Sequence, residues 1–118
     1  VSNTPYRLYK QYAHLGGVAD PLLVSWPRRI TAHGEIRKRF VHVIDLFPTI
    51  LEAAGVERPE VYRGRRLKPV EGASMVATFA NAEAPTRTTQ YFELGGQRAF
   101  LDVNARSIKS RALHRAPC

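Results

Sequence analysis

Cysteine is nearly missing from this chain: its 118 residues hold one, Cys118, at the last position. An intrachain disulfide needs two, so a stapled scaffold is excluded, as is a zinc site built on cysteines. Long apolar runs are missing too. Nothing approaches the ~20 residues that span a bilayer, and the first residues lack the charged-then-apolar pattern of a secretory leader. The expectation is a soluble chain, cytoplasmic rather than exported, with no membrane partner. Aspartate is sparse: Asp20, Asp45 and Asp102 stand singly. Calcium takes six to eight oxygen ligands, and no pair of neighbouring acids offers a start on such a set.

What is present describes a globular chain. Apolar residues make up 44% and charged residues 24%, ordinary values that leave enough apolar surface for a core. The net charge is +8, and residues 104–118 carry four of those charges (Arg106, Lys109, Arg111, Arg115) with no acid. That basic tail reads as a solvated terminus. Polyanion binding is the functional alternative, supported by arginines at 28, 29, 37, 39, 63, 65 and 66. Aromatic residues are not interleaved with these arginines as base stacking requires, which argues against nucleic acid as a partner.

Asn3-Thr4-Pro5 has the form of a helix start, and Tyr9, Tyr12 and Leu15 recur at spacings of three before Gly16-Gly17. These signals predict a short helix over 5–14 with Lys10 and His14 on one face. From Val18 to Trp26 the chain is apolar on both faces, which predicts a strand buried in a parallel sheet. Residues 28–40 are a polar connection. Leu46, Ile50, Leu51, Ala53 and Ala54 form a helical stripe over 46–54, with Asp45 as cap, Pro48 tolerated in the first turn and Gly55 as the left-handed stop. Residues 57–70 read as an irregular loop. Ser74 caps a short helix over 75–80, and 90–94 with 97–101 form a hairpin about Gly95-Gly96.

Four of these segments, in this order, resemble the sulfatase family. KQYAHLGGVADPLLVSWP at 10–27 is similar to its K-x5-G-G element and the strand behind it. HVIDLFPTILEAAGV at 42–56 resembles its H-x-x-D-x-x-P-T helix, PVEGASM at 69–75 its P-x-E-G-x-S element, and TQYFELGGQRAF at 89–100 its hairpin. The closest likeness is to bacterial arylsulfatases. The fold class implied is α/β: a partial alkaline-phosphatase-like sulfatase fold, one sheet strand plus helices and a C-terminal antiparallel hairpin. Residues 1–88 would belong to the catalytic α/β domain, 89–103 to a small antiparallel sheet, and 104–118 to a divergent basic tail lacking the family's D-G-W-K-like strand.

The resemblance implies a sulfuric ester hydrolase in which Lys10 binds a sulfate oxygen of the ester substrate and offsets charge on the leaving oxygen. His14, a proton shuttle by chemistry, is the second substrate-binding candidate; a structural or merely exposed histidine is the plain alternative. The family's nucleophile, a formylglycine made from a C/S-x-P-x-R motif, and the aspartates that hold its Ca2+ are expected from the remainder of the catalytic domain. This chain by itself would then bind no metal and be inactive. A phosphonate or phosphate ester hydrolase of the same superfamily and a small basic polyanion-binding module are the other readings.

Overall fold

A computed structural model describes residues 4–10, 12, 14–94, 96–104 and, for the backbone, 107–112. In chain order the elements are α1 (Leu15–Val18), a 3-10 turn (Val43–Asp45), α2 (Leu46–Ala54), β1 (Val61–Tyr62), β2 (Arg65–Arg66), α3 (Ala77–Ala80), β3 (Thr89–Leu94), β4 (Gln97–Asp102) and β5 (Ser107–Ala112). They fall into two compact units, residues 25–87 in one and residues 1–24 with 88–118 in the other.

In the unit of residues 25–87, α2 has the expected bounds. Its end follows from Gly55, at φ 66°: the Gly55 N–H donates to the Glu52 carbonyl (3.1 Å) and the Val56 N–H to the Leu51 carbonyl (3.0 Å), the paired bonds of a Schellman stop. Asp45 does not cap α2. Its carboxylate turns back, accepting from the His42 N–H at 2.9 Å while the His42 imidazole accepts from the Ile44 N–H at 3.3 Å. This reciprocal box closes the 3-10 turn instead. The short helix expected over 75–80 is confined to Ala77–Ala80, with Ser74 Oγ accepting from the Val76 N–H just ahead of it. Residues 61–66, expected to be irregular, form a hairpin: Tyr62 pairs with Arg65 across Arg63 (φ 50°) and Gly64 (φ 76°). Two successive positive φ values define a type I′ turn, whose twist matches that of paired strands.

In the other unit, β3, β4 and β5 form an antiparallel sheet in the order β3-β4-β5. Phe92 lies opposite Ala99, and Tyr91 opposite Phe100. The Phe92–Ala99 face is covered, Ala99 being buried, while Tyr91 and Phe100 face outward. Period-two alternation therefore survives in a half-buried sheet. The loop of this hairpin is the expected two-residue Gly95-Gly96, of which Gly96 has φ 80°. β5 is a departure: part of the tail expected to be a solvated terminus pairs along β4, Leu101 with Ile108 and Phe100 with Lys109.

Two expectations near the N-terminus give way. Residues 4–10 are turns and bends rather than helix, because Leu8 sits at φ 67° in the left-handed region, where a right-handed helix cannot continue. The apolar segment 19–26 has no regular secondary structure and pairs with no strand among the described residues. A doubly buried strand exists only between neighbours, and without them Leu23 is 90% exposed. The sheets described here are antiparallel, compatible with part of an α/β fold whose parallel sheet requires further strands.

Candidate functional site

Lys10 is carried by a loop whose closure is fixed by glycine. The Gly16 N–H donates to the Arg7 carbonyl at 3.2 Å, joining the two ends of the segment that contains Lys10. A Cβ on Gly16 would lie 2.1 Å from the Leu8 carbonyl oxygen, and one on Gly17 would lie 2.0 Å from that of Tyr12. These are backbone atoms that cannot swing aside, so only glycine admits the approach. Gly16 and Gly17 thus have a steric role, although the helix expected around Lys10 does not form. Tyr9 and Tyr12 pack edge to face at 5.5 Å beside the same turn. The Lys10 side chain is exposed.

His14 precedes α1, its carbonyl accepting from the Gly17 and Val18 N–H groups at 2.8 and 3.1 Å. Its side chain is exposed and makes no capping bond. Without a helix over 5–14, the shared face predicted for Lys10 and His14 does not form. The glycine turn brings in His14 through its backbone.

The other feature is a junction in the unit of residues 25–87. Asp45, 2% exposed, accepts from four donors: the His42 N–H, the Ala73 N–H (2.8 Å), and Arg87 through Nη2 (2.8 Å) and Nε (3.5 Å). Arg87 also donates to the Glu71 carbonyl at 3.1 Å. Beneath them Thr49 Oγ1 donates to the Asp45 carbonyl at 2.6 Å and accepts from the Met75 N–H at 3.0 Å. Gly72 completes the contact: a Cβ there would fall 2.1 Å from the Ile44 carbonyl oxygen. Burial on its own would push the Asp45 carboxyl up, but the bonds from Arg87, Ala73 and His42 outweigh it and hold the group below the ordinary aspartate value. These segments are tied by Asp45 and Arg87, 42 residues apart, whose pairing no local pattern announces.

A cleft of about 370 Å³ opens beside this junction, lined by Val41, Glu71, Ser74 and Met75 together with the ion pair. Asp45 and Arg87 at its edge are paired with each other, so their role is that of a brace. Among the described residues no three His, Cys, Asp or Glu side chains converge as a metal site would need. The acids of this chain do not fit calcium.

The letters of the C/S-x-P-x-R pattern do occur here, at Ser25-Trp26-Pro27-Arg28-Arg29, against the expectation that they lie elsewhere. Ser25 is exposed at the end of the apolar segment. A tight turn follows it, with the Arg29 and Ile30 N–H groups donating to the Trp26 carbonyl at 2.9 and 2.8 Å. Arg29 lies over the Trp26 ring at 5.6 Å, and Trp26 meets Phe79 edge to face. Arg29 is thereby engaged with Trp26, while Pro27 is exposed.

Comparison with known proteins identifies the family. The family model for the C-terminal part of N-sulphoglucosamine sulphohydrolase matches residues 6–101. A sulfatase of Formosa agariphila is 33% identical over 113 residues, 96% of this chain and 19% of the relative. The N-acetylgalactosamine-6-sulfatase of Homo sapiens is 29% identical over 91 residues, 77% of this chain and 16% of the relative. An arylsulfatase of Klebsiella aerogenes is 35% identical over 78 residues, 65% of this chain and 17% of the relative. These relatives share a class, the sulfuric ester hydrolases. The chain belongs to the sulfatase family, in the C-terminal region that its N-sulphoglucosamine sulphohydrolase model describes. It spans about a fifth of the length of the curated relatives it matches. Among the described residues no helix is long and apolar enough to cross a membrane.

Proposed function

We propose that this chain serves as the C-terminal part of a sulfuric ester hydrolase of arylsulfatase type, presenting Lys10 to the sulfate group of the ester. The observation that carries this is the glycine-locked loop: Gly16 and Gly17 accept backbone contacts that any side chain would block, and they fix the turn beside a lysine. An ammonium group brought into a partly dry pocket stabilises negative charge far better than one in bulk water, and most where charge develops. Its open position in this chain matches a pocket whose other walls come from additional polypeptide. His14, exposed at the foot of the same loop, is the second group we assign to the substrate's polar groups.

The nucleophile and Ca2+ site are assigned to the rest of the catalytic domain, because the acids here do not fit that ion. Ser25 is assigned no chemical step despite its motif. The cytoplasmic expectation finds no support among the relatives.

Hydrolysis of an aryl sulfate by a longer polypeptide containing this sequence tests the assignment. Lys10→Ala should lower kcat by ~10²-fold or more, and unchanged kcat would overturn the role of Lys10. Ser25→Ala should leave turnover intact, whereas its abolition would make that motif the nucleophile. The 118-residue chain itself should show no turnover, and calcium-dependent hydrolysis by it would refute the division of labour.

A further inference from the structure

The β1–β2 hairpin is the feature that the sulfate site leaves unused. Residues 61–66 read Val-Tyr-Arg-Gly-Arg-Arg, three cations in six residues without an acid. Every one of the six is exposed. The type I′ turn and the Leu67 N–H bond to the Glu60 carbonyl (2.9 Å) hold the tip in a defined form. Neither Arg63, Arg65 nor Arg66 takes part in an ion pair among the described residues, whereas Arg37, Arg39 and Arg87 of the same unit pair with Glu35, Glu83 and Asp45. Arg63 lies over the Tyr62 ring at 5.3 Å. Arg65 and Arg66 are adjacent strand residues, so their side chains leave on opposite faces.

We propose that this hairpin is a docking element for a linear polysaccharide carrying repeated sulfate groups, that is, for the extended form of an ester substrate. The geometry selects a polymer over a small anion. Three guanidinium groups distributed around a tip, with no concave pocket between them, offer a single sulfate one partner at a time. A chain with anions at regular intervals reaches several of them and releases its condensed counterions as it does. Nucleic acid fits less well, because the hairpin offers a single aromatic ring, one face of which Arg63 covers, where base stacking along a strand uses several. Only the choice of sulfate as the repeating anion rests on the sulfatase reading; docking requires neither Lys10 nor turnover.

Heparin serves as the probe, with duplex DNA and an unsulfated dextran as comparison polymers, all applied to a longer polypeptide containing this sequence. The triple variant Arg63→Gln, Arg65→Gln, Arg66→Gln should bind heparin about tenfold or more weakly at ~0.1 M salt, with a shallower dependence on salt. A charge-matched control, Arg28→Gln, Arg106→Gln, Arg111→Gln, should lose distinctly less. Equal losses in the two triple variants would show net charge alone at work and overturn the proposal, as would duplex DNA binding as tightly as heparin. A second readout is independent of variant folding: arginine-directed labelling located by mass spectrometry, in which heparin should protect Arg63, Arg65 and Arg66 more than Arg28 and Arg29. Uniform protection would overturn it. Retained heparin docking with an inert Lys10→Ala result would remove the sulfate-site assignment while leaving the hairpin's role standing.

Discussion

One carboxylate organises the unit of residues 25–87. Asp45 joins the 3-10 turn, the Glu71-Gly72-Ala73 stretch and Arg87, and it is almost fully buried. Removing one member of such a pair strands the other charge in a desolvated place, which costs about 3–5 kcal/mol. Asp45→Asn keeps the shape but sets an amide where Arg87 needs an acceptor. In a longer polypeptide containing this sequence, chemical denaturation should therefore show a loss of ~3 kcal/mol for this variant. The same site fixes a pH dependence. The folded-state pKa of Asp45 lies below its unfolded value, so its contribution is present above about pH 4 and is lost as pH falls through the lower folded value. Titration of stability from pH 7 to pH 2 should show this acid loss in the parent and a weaker one in Asp45→Asn. Identical profiles would mean that the pair contributes nothing to folding.

At the scale of elements, what was legible in the sequence was local. Helix α2 is written in its own stripe and its Gly55 stop, and the β3–β4 hairpin in two alternating runs about a glycine pair. The segment around Lys10 was not legible in this way. Tyr9, Tyr12 and Leu15 imitate a helical period, but the left-handed Leu8 and the bond between Gly16 and Arg7 impose a closed loop instead. The basic hairpin was hidden because Arg-Gly is a weak turn signal beside Asn-Gly. β5 was hidden because its composition is that of a charged terminus, and only its pairing with β4 reveals it. Lys10 was singled out through the resemblance's glycine spacing and its sulfate role is a proposal, yet the Asp45–Arg87 brace carried no comparable signal, its partners being far apart in sequence. The loop makes a prediction of its own. Gly16→Ala should displace the turn and reduce aryl sulfate turnover in a longer polypeptide by ~10²-fold, since a shift of about 1 Å at a reacting group has that effect. Circular dichroism of the variant should retain the parent's helix and sheet content, and undiminished turnover would show that Lys10 does not depend on the glycine turn.

On the scale of the whole molecule, the balance of burial is unusual for 118 residues. Among the described residues the buried apolar side chains are Met75, Ala84 and Ala99, while within the unit of residues 25–87 Val43, Phe47 and Ile50 lie 71%, 51% and 65% exposed along one part of the chain. In the other unit Leu22, Leu23 and Val24 are uncovered on a segment whose backbone has no strand partner among the described residues. Fully burying a side chain of this kind is worth about 1.5–3 kcal/mol, so these positions represent stabilisation that the chain does not collect from itself. The relatives are about five times longer, and their additional polypeptide is the cover we propose for both apolar surfaces. The expectation is then direct. The chain alone should bind a hydrophobic dye, melt without a sharp transition and associate at micromolar concentration. Co-expressed with the remaining part of a full-length sulfatase parent, it should melt cooperatively and lose dye binding as Leu22, Leu23, Val24, Phe47 and Ile50 become covered. A sharp two-state melt of the isolated chain, with no dye bound, would show that these side chains need no partner and that the fold is complete without one.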